Sequence, residues 1–522
     1  MSRSIRTGSQ ASLATLAAVA LAVVLILLLT VVPLANNDVW ILMKVGELIV
    51  QTGKIPQTIL FAFPTVTDNH FNAHEWLVSV IYHEFDEGFG LARLKWVVGI
   101  FALVQFFLSA RLAWRRSRSL GIALLMALLA MICANDRYVL RPELFALLLL
   151  VCLLLALDRY RRERRWTTLL WTIPVAVVWA NCHGSFLLAP VVTGLFALGE
   201  ALTAATAATG TPGVRLRAGW RVGMPYAGAA VAMTAACAIN PAGWSLLAFP
   251  FQLQQSQAMR QLIKEWLPTF SPMFMETRAF WIFVAVGLVA LATVVVRRRF
   301  LGFTDALLFL SFSALALERS RHIVWFGFIA LYVCSGLVHG LASDRRRELQ
   351  WRAACAGFAL VALCACIRWG NVDYSYFYEA PSNNFSPALV AELADPGVRG
   401  NVFNSYELGG ELIYREWPRL KPSIDSRVDS YGDDYLLFHL RLLKNEKLLD
   451  LFLDGNRVNY MLLLRRDLDA GVRNMPSIRA NWRIRLTDGD IFLLERNAHV
   501  PLADAVAAPP PTSAPPSGWT TR

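Results

Sequence analysis

Residues 11–34 form an almost unbroken apolar run behind a short segment carrying Arg3 and Arg6. At about 1.5 Å rise per residue, such a run crosses a hydrocarbon core of about 30 Å as a helix. It is too long for the apolar centre of a cleavable leader, so it reads as an uncleaved first span. Ten further apolar runs follow, at 96–110, 120–134, 143–157, 166–180, 185–205, 223–239, 279–296, 303–316, 323–342 and 353–367. The chain of 522 residues is 56% hydrophobic and only 17% charged, outside the range of a soluble domain in both respects. The expected fold is therefore a polytopic α-helical membrane protein with about eleven spans.

Charge tests that count. With the N-terminus inside, the inner loops hold 21 Lys and Arg in 60 residues, against 12 in 119 for the outer connections of the membrane part. That bias is what the positive-inside rule predicts for an N-in, C-out chain. The formal net charge of +12 then reads as an orientation signal. The runs at 159–165, 297–299 and 345–347 are topology anchors near anionic membrane lipid. They are scattered among inner loops and build no separate basic domain, so no nucleic-acid partner is expected.

Residues 1–370 form the multi-pass domain, with a large first outer loop at 36–95. Residues 371–500 differ, with 16 basic against 19 acidic side chains, no cysteine, and short alternating segments. They read as a small α/β domain exported beyond the membrane, extracytoplasmic or periplasmic on a cell inner membrane. Strands are expected at 401–403, 423–424 and 460–464, helices at 411–416 and 435–444, and a hairpin across Asp488-Gly489. The Ala- and Pro-rich tail, 501–522, should be disordered. All eight cysteines fall in or beside spans, with no metal or disulfide pattern.

The outer face gathers most of the polar chemistry: Asn36-Asn37-Asp38, His74-Glu75-Trp76, Asp136-Arg137, Arg141-Pro142-Glu143, Asn181-Cys182-His183-Gly184, Asn240 to Trp244, Lys264-Glu265-Trp266 and Glu318-Arg319-Ser320-Arg321-His322. Ionisable groups this close to hydrocarbon are costly and mark a site. Asp38 opens an amphipathic stretch, 39–50, expected as a helix capped by Asp38 and lying along the interface. A carboxylate there can take a proton from an acceptor hydroxyl, while Arg137, Arg141, Arg319 and Arg321 can clamp a phosphate leaving group. Capping, snorkelling and ion pairing are the plainer roles for the same residues. His74 and His183 lack a recognisable ligand spacing, so a divalent metal is not favoured and no cofactor is expected.

Taken together, Asp38-Val39-Trp40 with Gly46-Glu47, residues 52–56, His74-Glu75-Trp76-Leu77, Arg141-Pro142-Glu143, residues 179–184 and residues 240–244 resemble a bacterial branch of the C-type (GT-C) membrane glycosyltransferases. The protein mannosyltransferase and aminoarabinose transferase relatives belong to that superfamily. Tyr406-Glu407-Leu408-Gly409-Gly410 and Ile424-Asp425-Ser426-Arg427 extend the resemblance into the exported domain. It implies transfer of a sugar from a polyprenyl-phosphate donor to an envelope acceptor on the non-cytoplasmic side, a hexosyl-type transfer with inversion. Asp38 matches the first-loop Asp and would be the general base, with Glu75 or Glu143 as a second catalytic acid. His74, Arg137, Arg141, His183, Arg319, Arg321 and His322 would bind substrate. No Asp-x-Asp pair occurs in the first loop, which points to a metal-independent transfer from a monophosphate carrier. The alternatives are a lipid-linked saccharide flippase or a non-catalytic envelope-assembly protein.

Overall fold

A computed structural model describes residues 2–30, 37–58, 61–63, 71–256, 264–369 and 385–498. The expected disordered tail and residues 370–384 lie outside the described residues, as do Asn36 and parts of the first outer loop. The chain divides into two compact units whose borders cut across sequence order. One holds Met1–Leu34, Gly88–Gln254 and Arg260–Pro381, and the other holds Ala35–Glu87, Gln255–Met259 and Ser382–Arg522. Residues 35–87 thus group with the C-terminal residues.

Among the described residues, the regular structure of the first unit is all helical. Each of the eleven apolar runs falls on a helix or helix pair, among them Ser2–Leu29, Leu91–Ser117, Glu143–Glu163, Pro212–Ala236 and Phe303–Glu318. Among the described residues, five segments are long and apolar enough to cross a membrane: Trp96–Ser117, Leu188–Ala207, Arg278–Val296, Ser320–Leu337 and Arg345–Ile367. Leu13–Leu29, Leu120–Cys133 and Trp166–Cys182 are shorter apolar helices. Large side chains such as Leu288, Trp281 and Val296 stay exposed on the bundle surface, where lipid and not water is the compatible solvent. This unit is a membrane protein.

Glycine sets the closest helix approaches. A Cβ on Gly199 would meet the Thr304 backbone at 2.3 Å. One on Gly336 would meet the Arg116 guanidinium at 2.3 Å. Arg116 passes over Gly336 to place Nη2 2.9 Å from both Asp305 carboxylate oxygens and Nη1 3.1 Å from the Tyr332 hydroxyl. Arg161 and Arg164 both hold Glu200, at 2.8 Å each. This ion-pair network ties together helices that a low-dielectric interior could not otherwise carry as separate charges. It lies at the far end of Glu143–Glu163 from Glu143 itself, about 22 Å along the helix from Glu143 to Asp158.

The second unit is built on a five-stranded sheet, β1 (Gly400–Asn404), β2 (Leu420–Pro422), β3 (Val458–Leu464), β4 (Trp482–Asp488) and β5 (Ile491–Arg496), in the order β2-β1-β3-β5-β4. β1 pairs in parallel with β2 and β3, and β5 runs antiparallel to β3 and β4. Both faces are buried. Val402, Tyr460, Leu462 and Leu493 face one core, while Phe403, Met461, Leu463 and Leu494 face the other. That period of two explains why β3 reads as a continuous apolar run from Tyr460 to Leu464.

Two expectations need correction here. The strand expected at 423–424 lies three residues earlier: the Ser423 amide makes a last bond to the Val402 carbonyl at 2.9 Å, and Asn404 Oδ1, which takes the Ser423 and Ile424 amides at 2.8 and 3.4 Å, replaces the backbone acceptor from there on. The helix expected to begin at Asp38 and lie along the membrane interface spans Asn37–Thr52, with Asp38 in its first turn and not at its cap. Its apolar face is covered by protein: Ile41 and Val45 pack with Phe61 and Ile413, and Trp40 meets Tyr414 at 5.1 Å between ring centres. Gly46 permits the approach of the next helix, Trp76–Phe89, since a Cβ there would lie 2.1 Å from the Ser79 carbonyl oxygen.

Candidate active site

In the membrane unit, the chain enters Glu143–Glu163 through two tight turns. Asn135–Arg137 is a single 3₁₀ turn, and the Leu144 amide closes on the Arg141 carbonyl at 3.1 Å, with Pro142 supplying a helical φ of −55°. These turns present Arg137, Arg141 and Glu143 together. Opposite them stands another 3₁₀ turn, Lys264–Trp266. Glu265 on that turn is the hub: Oε2 lies 2.7 Å from Arg137 Nη1, and Oε1 accepts from Arg141 Nη1. Arg137 also lies 3.4 Å from the buried Glu143.

Burial would raise the Glu265 carboxyl, but the guanidiniums of Arg137 and Arg141 outweigh it and hold this group well below the usual carboxylate range. Burial likewise opposes the charge on Arg137, and Glu143 and Glu265 more than offset it.

The turn between the helices Phe303–Glu318 and Ile323–Leu337 is fastened to the same place. Arg319 Nη1 donates to the Trp266 carbonyl at 2.8 Å, the Ser320 hydroxyl donates to the Glu265 carbonyl at 3.1 Å, and the Ser320 amide donates to Leu267 at 3.2 Å. Arg319 also faces Glu318 at 3.5 Å. Arg321 is different. Its guanidinium stacks 4.3 Å from the centre of the Trp266 ring, and among the described residues it makes no hydrogen bond or ion pair. Next to it, His322 Nδ1 is buried without a hydrogen-bond partner among the described residues.

Six of the expected site residues are thus gathered at one end of the bundle: Arg137, Arg141, Glu143, Arg319, Arg321 and His322. His183 sits on a separate turn of the same unit. Its Nδ1 is 2.7 Å from the Ser185 hydroxyl and receives the Ser185 amide at 3.2 Å, while Trp179 Nε1 donates to that hydroxyl at 3.1 Å. The Trp179 ring in turn lies 6.2 Å from Trp325. Asn181 and Asn240 fill turn roles, with Asn240 Nδ2 donating to the Ala180 carbonyl and Asn181 Oδ1.

Asp38, His74 and Glu75 belong to the other unit. Asp38 is half-buried in the first turn of its helix, where a carboxylate also complements the helix dipole. His74 Nδ1 is 3.0 Å from the Asn72 carbonyl oxygen, and Nε2 is 3.5 Å from Glu75 Oε1. The three expected carboxylates are therefore divided, Asp38 and Glu75 in one unit and Glu143 in the other. Among the described residues no group of three His, Cys, Asp or Glu could hold a metal ion.

Glu265 and Trp266 were not singled out from the sequence as site residues, although Lys264-Glu265-Trp266 stood out as a polar group in the longest later loop. A shared counter-ion more than 120 positions from its arginines leaves no local spacing to read.

No family model matches the chain, and no curated protein matches it. Solved structures do resemble it. The archaeal oligosaccharyltransferase AglB from Archaeoglobus fulgidus, in complex with an inhibitory peptide and a dolichol-phosphate, superposes with a TM-score of 0.55 at 12% identity, over 92% of this chain and 74% of that one. An Archaeoglobus fulgidus oligosaccharyltransferase tethered to an acceptor peptide containing the NVT sequon gives 0.53 at 14% identity, over 85% and 69%. Its apo form gives 0.50 at 13%, over the same shares. At such identities the likeness speaks for the fold alone, which this chain shares with these archaeal oligosaccharyltransferases.

Proposed function

We propose that the chain transfers a sugar from a polyprenyl-phosphate-linked donor to an envelope acceptor on the non-cytoplasmic side of a bacterial inner membrane. The observation that carries this reading is the uncommitted Arg321 guanidinium, stacked on Trp266 within a cluster of four arginines. Arg137 and Arg141 are engaged by Glu265, and Arg319 by the Trp266 carbonyl, which leaves Arg321 to receive an added anion. A guanidinium fork suits phosphate oxygens, and its ring contact fixes its plane. The GT-C fold supports the same reading, since its resemblance extends to an oligosaccharyltransferase solved with a dolichol-phosphate.

In this mechanism Asp38 takes the proton of the acceptor hydroxyl as the hydroxyl oxygen attacks the anomeric carbon. The bond from that carbon to the phosphate oxygen breaks with inversion. The lipid phosphate leaves with its charge held by Arg321, within a field set by Arg137, Arg141 and Arg319. Glu75 or Glu143 is the second acid, and His74, His183 and His322 contact substrate. Transfer needs no metal, the membrane part has eleven spans with the N-terminus inside, and the C-terminal domain is periplasmic.

The test is sugar release from polyprenyl-phosphate donors by purified protein, comparing wild type with Asp38→Asn and Arg321→Ala. Loss of turnover in Asp38→Asn with donor binding intact supports the assignment. Normal turnover in that variant removes Asp38 as the base. Transbilayer movement of the donor without sugar release would favour a flippase.

A further inference from the structure

The second unit contains a polar cluster far along the chain from Asp38, centred on Asp425 and Arg427. Arg427 Nε and Nη2 grip the two Asp425 oxygens at 2.9 and 2.6 Å. The same carboxylate receives the Arg427 amide at 2.9 Å and the Tyr431 hydroxyl at 2.5 Å. The guanidinium is flanked by the rings of Phe61 and Phe71, at 4.9 and 5.2 Å from their centres. Asp425, Arg427 and Tyr431 are thus held by one another and by apolar neighbours.

Two donors are left over. Among the described residues, Arg427 Nη1 and the Ser430 hydroxyl are buried without hydrogen-bond partners, in residues only 8% and 7% exposed. A buried guanidinium N–H and a buried hydroxyl lacking acceptors are both costly, so their pairing within four residues needs a reason. The segment is also shaped. Gly432 takes φ 73° and ψ 159°, a conformation that side chains with a Cβ rarely adopt. This kink ends the first helical turn after Tyr431, so Ser430 and Tyr431 stay inward while Gly432 and Asp434 are exposed. Asp433 accepts from the Ser256 hydroxyl at 2.5 Å on the far side of the kink.

Charge decides the ligand class. Asp425 already neutralises Arg427, so the leftover N–H has no charge to balance. The remaining N–H calls for a neutral oxygen, and the Ser430 hydroxyl, which both donates and accepts, matches a group that does the same. A saccharide hydroxyl has that chemistry.

We propose that Arg427 Nη1 and Ser430 form a binding site for the hydroxyls of a neutral saccharide, the sugar portion of the acceptor. Its role as the acceptor's seat rests on the transfer reading above, whereas binding is measured without turnover. The probes are the methyl glycosides of glucose, galactose, mannose and N-acetylglucosamine, with a methyl glucuronoside and a neutral tripeptide as controls. Saturation-transfer NMR on the full chain in detergent detects them at millimolar concentration.

At least one neutral glycoside is expected to bind. Ser430→Ala and Arg427→Lys should each weaken it about tenfold or more, and Tyr431→Phe, which removes a hydroxyl that donates to Asp425 and leaves both proposed ligand donors in place, should leave it within about threefold, near the usual spread of such effects. Thermal unfolding of each variant separates loss of binding from loss of fold, with Ser430→Ala the least disruptive. Binding unchanged in a folded Ser430→Ala and Arg427→Lys, preference for the glucuronoside or the tripeptide, or no glycoside bound would overturn the proposal. Asp38→Asn should bind the glycoside as wild type does. Lost transfer with retained glycoside binding implicates the base alone, and active transfer with no glycoside binding rejects this site alone.

Discussion

The Arg321 guanidinium stacks on the Trp266 ring at 4.3 Å while its neighbours Arg137 and Arg141 share the Glu265 carboxylate. Four arginines brought so close would repel one another, and the structure answers that repulsion unevenly. Replacing Arg321 by Lys keeps the charge but loses the planar fork and the ring contact. The expected result is a donor KM raised about tenfold or more, which is on the order of 1.4 kcal/mol, with a smaller effect from Trp266→Leu. Steady-state kinetics with a polyprenyl-phosphate donor checks it, and equal KM values in Arg321→Lys and wild type would contradict the phosphate role.

Glu265 should make stability depend on pH in a defined direction. Its carboxyl is held below its ordinary value of about 4.3 in the folded state. Its contribution is therefore fully present above that unfolded value and is lost as pH falls toward the depressed folded value. Glu265→Gln should cost about 1–3 kcal/mol at pH 7, less than a fully buried pair because the Glu265 side chain is 32% exposed. Unfolding temperatures at pH 7 and pH 3.5 check it: the gap between wild type and Glu265→Gln should narrow on acidification.

What was legible in the sequence follows from the range over which each interaction acts. Helices such as Glu143–Glu163 and Arg278–Val296 declare themselves because lipid demands a local, continuous apolar run. β3 was readable for a related reason, since burial on both faces makes every residue from Val458 to Leu463 inward-facing. The amphipathic pattern of Asn37–Thr52 was also visible, but an apolar stripe does not say whether lipid or protein will cover it, and Phe61 with Ile413 covers this one. The end of β2 was missed because it depends on the Asn404 carboxamide nineteen residues earlier. Arginines at 137, 141, 319 and 321 were visible as a set, whereas the pairing of two of them with Glu265 was not.

The opposite end of the bundle carries its own test. Arg116 reaches Asp305 only because residue 336 lacks a Cβ, which would stand 2.3 Å from Nη2. Gly336→Ala should push the guanidinium off Asp305 and cost about 3 kcal/mol, the scale of a buried ion pair broken from one side. Gly287→Ala, on a helix where an added Cβ meets nothing within 4 Å, is the matched control and should stay within about 0.5 kcal/mol of wild type. Chemical or thermal unfolding in one detergent compares the two, and similar stabilities would show that Arg116 can find another path.

His439 gives the C-terminal unit an acid sensitivity of opposite origin to that of Glu265. It stacks on Phe403 at 4.9 Å, lies 3.2 Å from the Ser423 hydroxyl, and is pushed down to about 3 by burial. The folded state thus keeps the ring neutral while the unfolded chain takes up a proton below about 6.5. No stability is at stake above that value. Below it, stability falls by about 1.4 kcal/mol per pH unit until the folded ring also titrates, or about 2 kcal/mol by pH 5. His439→Gln should be less stable than wild type at pH 7, because it loses the ring packed on Phe403, yet should lose less on going to pH 5. A wild-type unfolding profile flat from pH 7 to pH 5 would mean that the ring is charged within the fold, against its packing on Phe403.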